Sequence, residues 1–362
     1  MDQMLGRVST VTGSQITVTL EGNPAGETTV SIGGMVKVRN ASRDVVGTIT
    51  AVQFDGGFPP RRILMVEPLG EITSAASGES QFSRGVSHYP ISGADVVAAN
   101  NADLAAVYAR PSASNIRIGT HYYDETRPAY IQMDDLLAKH FAVIGTTGSG
   151  KSCTVTLILS AMLVDHPNAH IVLLDPHNEY STAFGDRAEV VNVDNLQLPF
   201  WLLDFEEAAR VLVRGGSEHE QESQMIILKD VITRARRAYA RHDIAASSIT
   251  VDTPVPYQVP ELIRFLNEGM GRLDKPDTSL PYLRLRTRLE SLRDDRRYAF
   301  MFSDWFDIPD RLSEIVARLL RIPVAGKPLT IIDISGLPYE IADVVVSMTC
   351  RLMFDFALWA DR

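Results

Sequence analysis

Residues His140–Val155 read HFAVIGTTGSGKSCTV: an apolar run, a glycine-rich turn and the opening of a helix. Inside it, Gly145-Thr146-Thr147-Gly148-Ser149-Gly150-Lys151-Ser152 satisfies G-x-x-x-x-G-K-[ST] in full. The chemistry behind the pattern is a cradle of backbone N–H groups converging on phosphate oxygens. Gly145, Gly148 and Gly150 can adopt the conformations this needs without a Cβ penalty. A helix beginning at Lys151 adds free N–H donors and a partial positive charge. Lys151 is then placed to reach the β- and γ-phosphates, and Ser152 to offer its hydroxyl to Mg²⁺. HFAVIG is expected to be the strand that feeds the loop, and Cys153 a small packed residue on the first turn of the helix. A glycine turn without a ligand is the alternative, and the complete motif in its strand-to-helix setting outweighs it.

Downstream, strands alternate with helices, the signature of a parallel sheet flanked by helices. HIVLLD brings Asp175 to a strand end, followed by Pro176, His177, Asn178, Glu179 and Tyr180. In open parallel sheets ligands gather beyond the carboxyl ends of the strands, so this segment is expected to face the same crevice as the loop. Asp175 or Glu179 can orient a water on Mg²⁺, while capping of a local turn by Asp175 and Asn178 is an equal alternative. A helical insertion is expected over about 204–322. It includes SEHEQESQMIILKDVITRARRAYARHD, with Met225, Ile226, Leu228, Val231 and Ile232 on its apolar side. After it, LTIIDISGLP (Leu329–Pro338) carries Asp333 at the end of a β-branched run, either as an acid near the metal or as the cap of its own turn.

Upstream, residues 1 to about 95 show short runs of period-2 alternation (GRVSTV, QITVTL, MVKVRN, VVGTITAVQF). Turn clusters TGSQ, GNPAG and DGGFPP separate them, predicting a small all-β barrel or sandwich. Residues 96–129 form a connector, with a helix-like DLAAVYA and a strand-like NIRIGTHYY. The α/β unit occupies 130–362.

The 362 residues suffice for two cores, and 45% hydrophobic with 22% charged residues is a globular composition. A formal net charge of −10 excludes nucleic-acid binding over the whole surface and confines any such contact to a local lining. Two distant cysteines, Cys153 and Cys350, give no disulfide framework, and a reducing cytoplasm fits. MDQMLGRVST has no secretory pattern. Arg351 and Asp355 interrupt VVVSMTCRLMFDFALWA, which argues for a packed helix and against a membrane span.

The barrel-like N-terminus, GTTGSGKS, DPHNEY and IIDISGLP, in this order, resemble the HerA family of hexameric DNA translocases, in the same broad group as the FtsK DNA pumps. The resemblance implies a RecA-like P-loop core that binds ATP with Mg²⁺. It further implies a barrel that helps assemble a homo-hexameric ring, and duplex DNA in a central channel. The implied partner is a NurA-type nuclease or, in phage defence, a sirtuin-type effector. Carried onto this sequence, Gly145, Thr146, Thr147, Gly148, Ser149, Gly150, Lys151, Ser152 and Cys153 form the nucleotide loop. Ser152 and Asp175 stand on the metal side, and Lys151, Glu179 and Asp333 are the catalytic candidates. Lys139 falls where relatives carry a basic residue near the nucleotide, and a solvated lysine is its alternative. Asn178 stands where relatives usually have glycine (DPHGEY). In relatives the helix after ISGLP leads to a strand ending in paired glutamates. Residues 1–362 hold no such strand after YEIADVVVSMTCRLMFDFALWA, which keeps open a nucleotide-gated ring scaffold with little hydrolysis of its own. A P-loop kinase is disfavoured by the barrel.

Two arginine-rich segments remain. Arg234, Arg236, Arg237 and Arg241 lie in one, and Arg284, Arg286, Arg288, Arg293, Arg296 and Arg297 in the other. They can touch phosphates without reading bases, or pair across subunits. Local pairing with Glu290, Asp294 and Asp295 on solvated helix faces is the favoured reading.

Overall fold

Period-2 alternation in the first hundred residues produces seven strands, β1 (Met4–Val11), β2 (Ile16–Leu20), β3 (Met35–Val38), β4 (Asp44–Asp55), β5 (Arg61–Ser74), β6 (Ser80–Arg84) and β7 (Asp95–Ala98). The computed structural model describes residues 4–21, 30–41, 43–56, 61–74, 80–122, 124–240, 246–271, 276–302 and 311–360. GNPAG, most of DGGFPP, and Arg241 lie outside them. Contacts divide the chain into two units, Met1–Ala142 and Val143–Arg362.

In the first unit the strands pair antiparallel in the order β2-β1-β7-β3-β4-β5-β6. A further pairing of β2 with β5, from Ile16↔Val66 to Thr19↔Ile63, closes six strands into a barrel and leaves β6 as an extension. Val18, Val38, Val45, Leu64, Val66 and Val96 fill the interior and are fully buried. Such β-branched and branched aliphatic side chains suit a pleated, enclosed surface. Strands approach closely at Gly6, where a Cβ would lie 2.1 Å from the Thr19 carbonyl oxygen. A helix, α1 (Asn101–Val107), is opened by a reciprocal capping box between Asn100 and Asp103. Asp103 also meets Lys37 Nζ on β3 at 2.7 Å, both side chains being buried. The hairpin β8 (Asn115–His121) and β9 (Asp124–Gln132), then α2 (Met133–Leu137), complete the unit.

The second unit begins with α3 (Lys151–Asp165), β10 (Ile171–Asp175) and β11 (Ala188–Val191). Six helices follow: α4 (Phe205–Leu212), α5 (Glu218–Tyr239), α6 (Val259–Met270), α7 (Pro276–Asp294), α8 (Ala299–Phe302) and α9 (Leu312–Leu320). The chain then returns through β12 (Leu329–Asp333) to α10 (Tyr339–Ala360). The strands form a parallel sheet in the order β10-β12-β11. β12 lies between two cores. Leu329 and Ile331 pack with Leu163 of α3, Phe184 and Ala188. Ile332 faces Val344, Val345 and Met348 of α10 and the helical insertion. The architecture is thus α/β with a parallel sheet, preceded by a β-barrel. Among the described residues no helix is long and apolar enough to cross a membrane.

Two local expectations fail. HFAVIG joins no ladder, and Ile144 is 91% exposed. A β-branched run becomes a strand only beside a partner, and among the described strands of this unit the pairings are β10 with β12 and β12 with β11 alone. On α5, Leu228, Val231 and Ile232 are buried, but Met225 and Ile226 are exposed while Gln224 is wholly buried. The buried stripe 224-228-231-232-235 follows the helical i, i+4, i+7 spacing, and Met225 and Ile226 fall beside it.

The insertion is tied together by polar groups at its centre. Buried Arg236 donates to the carbonyls of Val255 at 3.0 Å, Leu203 at 3.2 Å and Trp201 at 3.3 Å, and also to that of Thr253. Arg351 on α10 meets Glu207 at 2.7 Å, and Glu207 closes the capping box of α4 with Asp204.

Candidate nucleotide site

The loop before α3 uses two left-handed glycines, Gly148 at φ 81° and Gly150 at φ 90°. Gly150 is the N-cap of α3. At Gly145 a Cβ would lie 2.3 Å from Ser149 Oγ, so a side chain there would have to turn that hydroxyl aside. Lys151 Nζ reaches back across the loop to the Thr146 carbonyl at 3.1 Å. Thr146, Thr147, Gly148 and Ser149 are exposed. The ammonium therefore sits at the loop's mouth, held by a single neutral acceptor.

Ser152 Oγ donates to Glu179, joining the helix start to the segment after β10. This is the crevice the sequence led us to expect. Asp175 is fully buried and accepts backbone N–H groups from His177 at 3.3 Å, Glu179 at 3.1 Å and Tyr180 at 2.9 Å. The turn passes through Asn178 at φ 54°, with Ser181 Oγ on its side-chain oxygen at 2.5 Å. Asparagine is among the few residues that tolerate this left-handed region, which accounts for its standing in a glycine position.

Asp333 is in register with Asp175 across the β10–β12 ladder. Its Oδ1 accepts the Ser335 hydroxyl at 2.6 Å and the Ser335 N–H at 2.9 Å, capping the ISGLP turn. Beyond that turn Glu340 accepts the Tyr298 hydroxyl at 2.6 Å and pairs with Arg288 at 3.0 Å. No sequence signal pointed to this cluster, because its members come together only through the insertion. The Tyr298 phenol is pushed up to about 12, by burial first and by its bond to Glu340. Cys153 departs from expectation: it is exposed, being about 140° around the helix from buried Ile158. Lys139 is exposed just past α2, in the first unit.

The donor set suits a magnesium nucleotide. Among the described residues no three acids, histidines or cysteines gather as a cation site. Mg²⁺ does not need one, since it is commonly held by one or two protein oxygens together with phosphate oxygens and water. Ser152 and Glu179 supply such oxygens beside a loop that turns through left-handed Gly148 and Gly150.

The arginine segments are largely spent on local structure. Arg234 meets Glu268 at 2.9 Å, Arg284 meets Glu220 at 3.2 Å and Arg286 meets Glu290 at 3.2 Å. Arg293 pairs with Asp294 and Arg297 with Asp295. Arg237 donates to the Ile249 carbonyl. The pairs with Glu290, Asp294 and Asp295 match the favoured reading, while Arg236 departs from it in being buried and Arg288 in reaching Glu340 on α10.

With this geometry in view, comparison with known proteins is informative. The family model described as "Helicase HerA, central domain" matches residues 116–353. The DNA double-strand break repair helicase HerA of Pyrococcus furiosus is 23% identical over 164 residues, covering 45% of this chain and 29% of that protein. The probable DNA double-strand break repair helicase HerA of Methanocaldococcus jannaschii is 28% identical over 119 residues, covering 33% of this chain and 23% of that protein. The matched segments thus span less than a third of each relative.

Proposed function

This chain belongs to the HerA helicase family, and from that membership and the shape of its loop we propose that it is a subunit of an ATP-dependent DNA translocase. In this reading the subunits form a hexameric ring in the cytoplasm that moves duplex DNA through its centre, working with a NurA-type nuclease or a sirtuin-type effector. The observation that carries the reading is the glycine cradle with Lys151 bent over its mouth. On nucleotide binding the ammonium exchanges the neutral Thr146 carbonyl for an anionic phosphate oxygen, so that donor and acceptor are both charged. Mg²⁺, when bound, supplies charge neutralisation at the β- and γ-phosphates. Ser152 would hold it, with Glu179 released from the Ser152 hydroxyl to orient its water. Asp175, wholly buried and occupied by the turn, keeps Glu179 in place. Asp333 shapes the neighbouring turn at the same edge of the sheet.

A second reading has its own support. Asp175, Glu179 and Asp333 are all engaged by the protein's own donors. A nucleotide-gated ring that assembles and restrains an effector, with little turnover, needs no free acid among them. Phosphate release with and without duplex DNA separates the readings. The translocase reading expects DNA to stimulate release in the wild type and Lys151→Ala to abolish it. DNA-stimulated release by Lys151→Ala at the wild-type rate overturns the translocase reading. Nucleotide-dependent assembly with DNA-independent, near-background release favours the scaffold.

A further inference from the structure

The first unit contains a cleft of about 1080 Å³ between β6, the end of α1 and the β8–β9 hairpin. That is slightly above the usual range of about 300–1,000 Å³ for small-molecule sites, and no role assigned above uses it. Its lining combines aromatic faces with cations. The Tyr108 and His121 rings touch at a tilt of 41°, with centroids 3.9 Å apart. The Arg110 guanidinium lies 5.7 Å from the centre of the Tyr130 ring and is steadied by Asn115 at 3.1 Å. Phe82 on β6 adds a further ring.

The side chain of Arg84, at the end of β6, makes no hydrogen bond or ion pair with any described residue. By contrast Arg7, Arg39, Arg43 and Arg127 in the same unit each have a carboxylate oxygen within 3.3 Å. Arg84 and Arg110 thus bring two guanidinium groups to one cleft with no carboxylate bound to either. Burial raises the Tyr108 phenol above its ordinary value, so it stays neutral and presents no charge to an anion. Asp135 and Gln132 on the hairpin side offer a carboxylate and an amide.

These features narrow the ligand. A purely apolar molecule would leave Arg84 and Asp135 unmatched, and a bare inorganic anion would leave the rings unused. Aromatic faces recognise a flat base irrespective of its identity, and guanidinium forks match phosphate oxygens. We propose that this cleft is a second nucleotide site, with a base against the Tyr108, His121 and Tyr130 rings and its phosphate on Arg84 and Arg110. The same chemistry is presented by a free nucleotide and by a nucleotide within a single strand.

Calorimetric titration of the full chain with thymidine 5′-monophosphate and with a short oligothymidylate tests the proposal. The expected result is binding that weakens about tenfold or more in Arg84→Ala and in Tyr130→Ala and is unchanged in Lys151→Ala. Arg84 is exposed, so its removal leaves the fold intact, and circular dichroism checks this for both variants. Comparable affinity for the two probes identifies a free nucleotide as the ligand, and binding of the oligonucleotide alone identifies a strand. Absence of binding by both probes at millimolar concentration overturns the proposal. So does binding that Arg84→Ala and Tyr130→Ala leave untouched, or that Lys151→Ala abolishes. Because the glycine loop is read through Lys151 and ATP turnover, either site can fail without the other.

Discussion

In the barrel each of the six closing strands has a hydrogen-bonded neighbour on both sides, whereas in the second unit only β12 does among the described strands. The barrel's aliphatic core is enclosed by its own ladder. On the second unit Leu157 and Val164 are 48% and 73% exposed while Ile158, Met162 and Leu163 are buried, so α3 carries apolar side chains around much of its circumference. The difference teaches where stability is set. The barrel depends on contacts inside itself, while the second unit depends on the insertion core and a smaller cluster on the other side of β12, beside a glycine loop held by few bonds. Stability variants should therefore act within the unit that contains them, and loop variants should alter function with little effect on folding.

The largest break is expected in the barrel. Lys37→Ala strands the Asp103 carboxylate in a buried site and should cost about 3–5 kcal/mol in denaturant unfolding. Replacing both partners with aliphatic residues of similar volume should recover most of it. In the second unit, Arg236→Ala removes the guanidinium donor from three buried carbonyls, those of Trp201, Leu203 and Val255. A loss of about 3 kcal/mol is expected, read as earlier unfolding of that unit with the barrel transition unchanged.

A pH titration sharpens the contrast further. The Glu71 carboxyl is held down to about 2 from 4.5, first by the His88 N–H, then by Ser87 and Arg43, against the opposing effect of burial. A carboxyl depressed in the folded state stabilises fully above its unfolded value and loses that contribution as pH falls through its folded value. Barrel stability should therefore decline between about pH 4.5 and about pH 2. Glu71→Gln should flatten that decline and lower stability at neutral pH. The smallest effect is expected at Asn178, whose φ is 54°. Asn178→Val should cost about 1–2 kcal/mol and Asn178→Gly close to nothing, by thermal unfolding.

Legibility in the sequence follows the range of the interactions. The glycine loop was readable because its chemistry is written in eight consecutive residues and its conformation depends on glycine alone. The barrel was readable because alternation records which face is buried. HFAVIG was misread because a strand is a property of a pair, and its sequence does not say which neighbour it has. Asp175 was ambiguous for a related reason: its oxygens are taken by backbone groups whose direction depends on Asn178 turning left-handed. Gln224 occupies an apolar stripe, and no composition rule placed it there. The Glu340 cluster and the first-unit cleft arise from tertiary assembly of distant segments, so they left no local trace.

The central claim is that Lys151 and the residues around it form a nucleotide site. Titration of ATP with Mg²⁺ into the wild-type chain and Lys151→Ala, followed by calorimetry, tests it most directly. The account predicts saturable binding in the wild type that weakens by about 10-fold to 100-fold in the variant, the worth of one charged hydrogen bond. Equal affinity in the two proteins would contradict it.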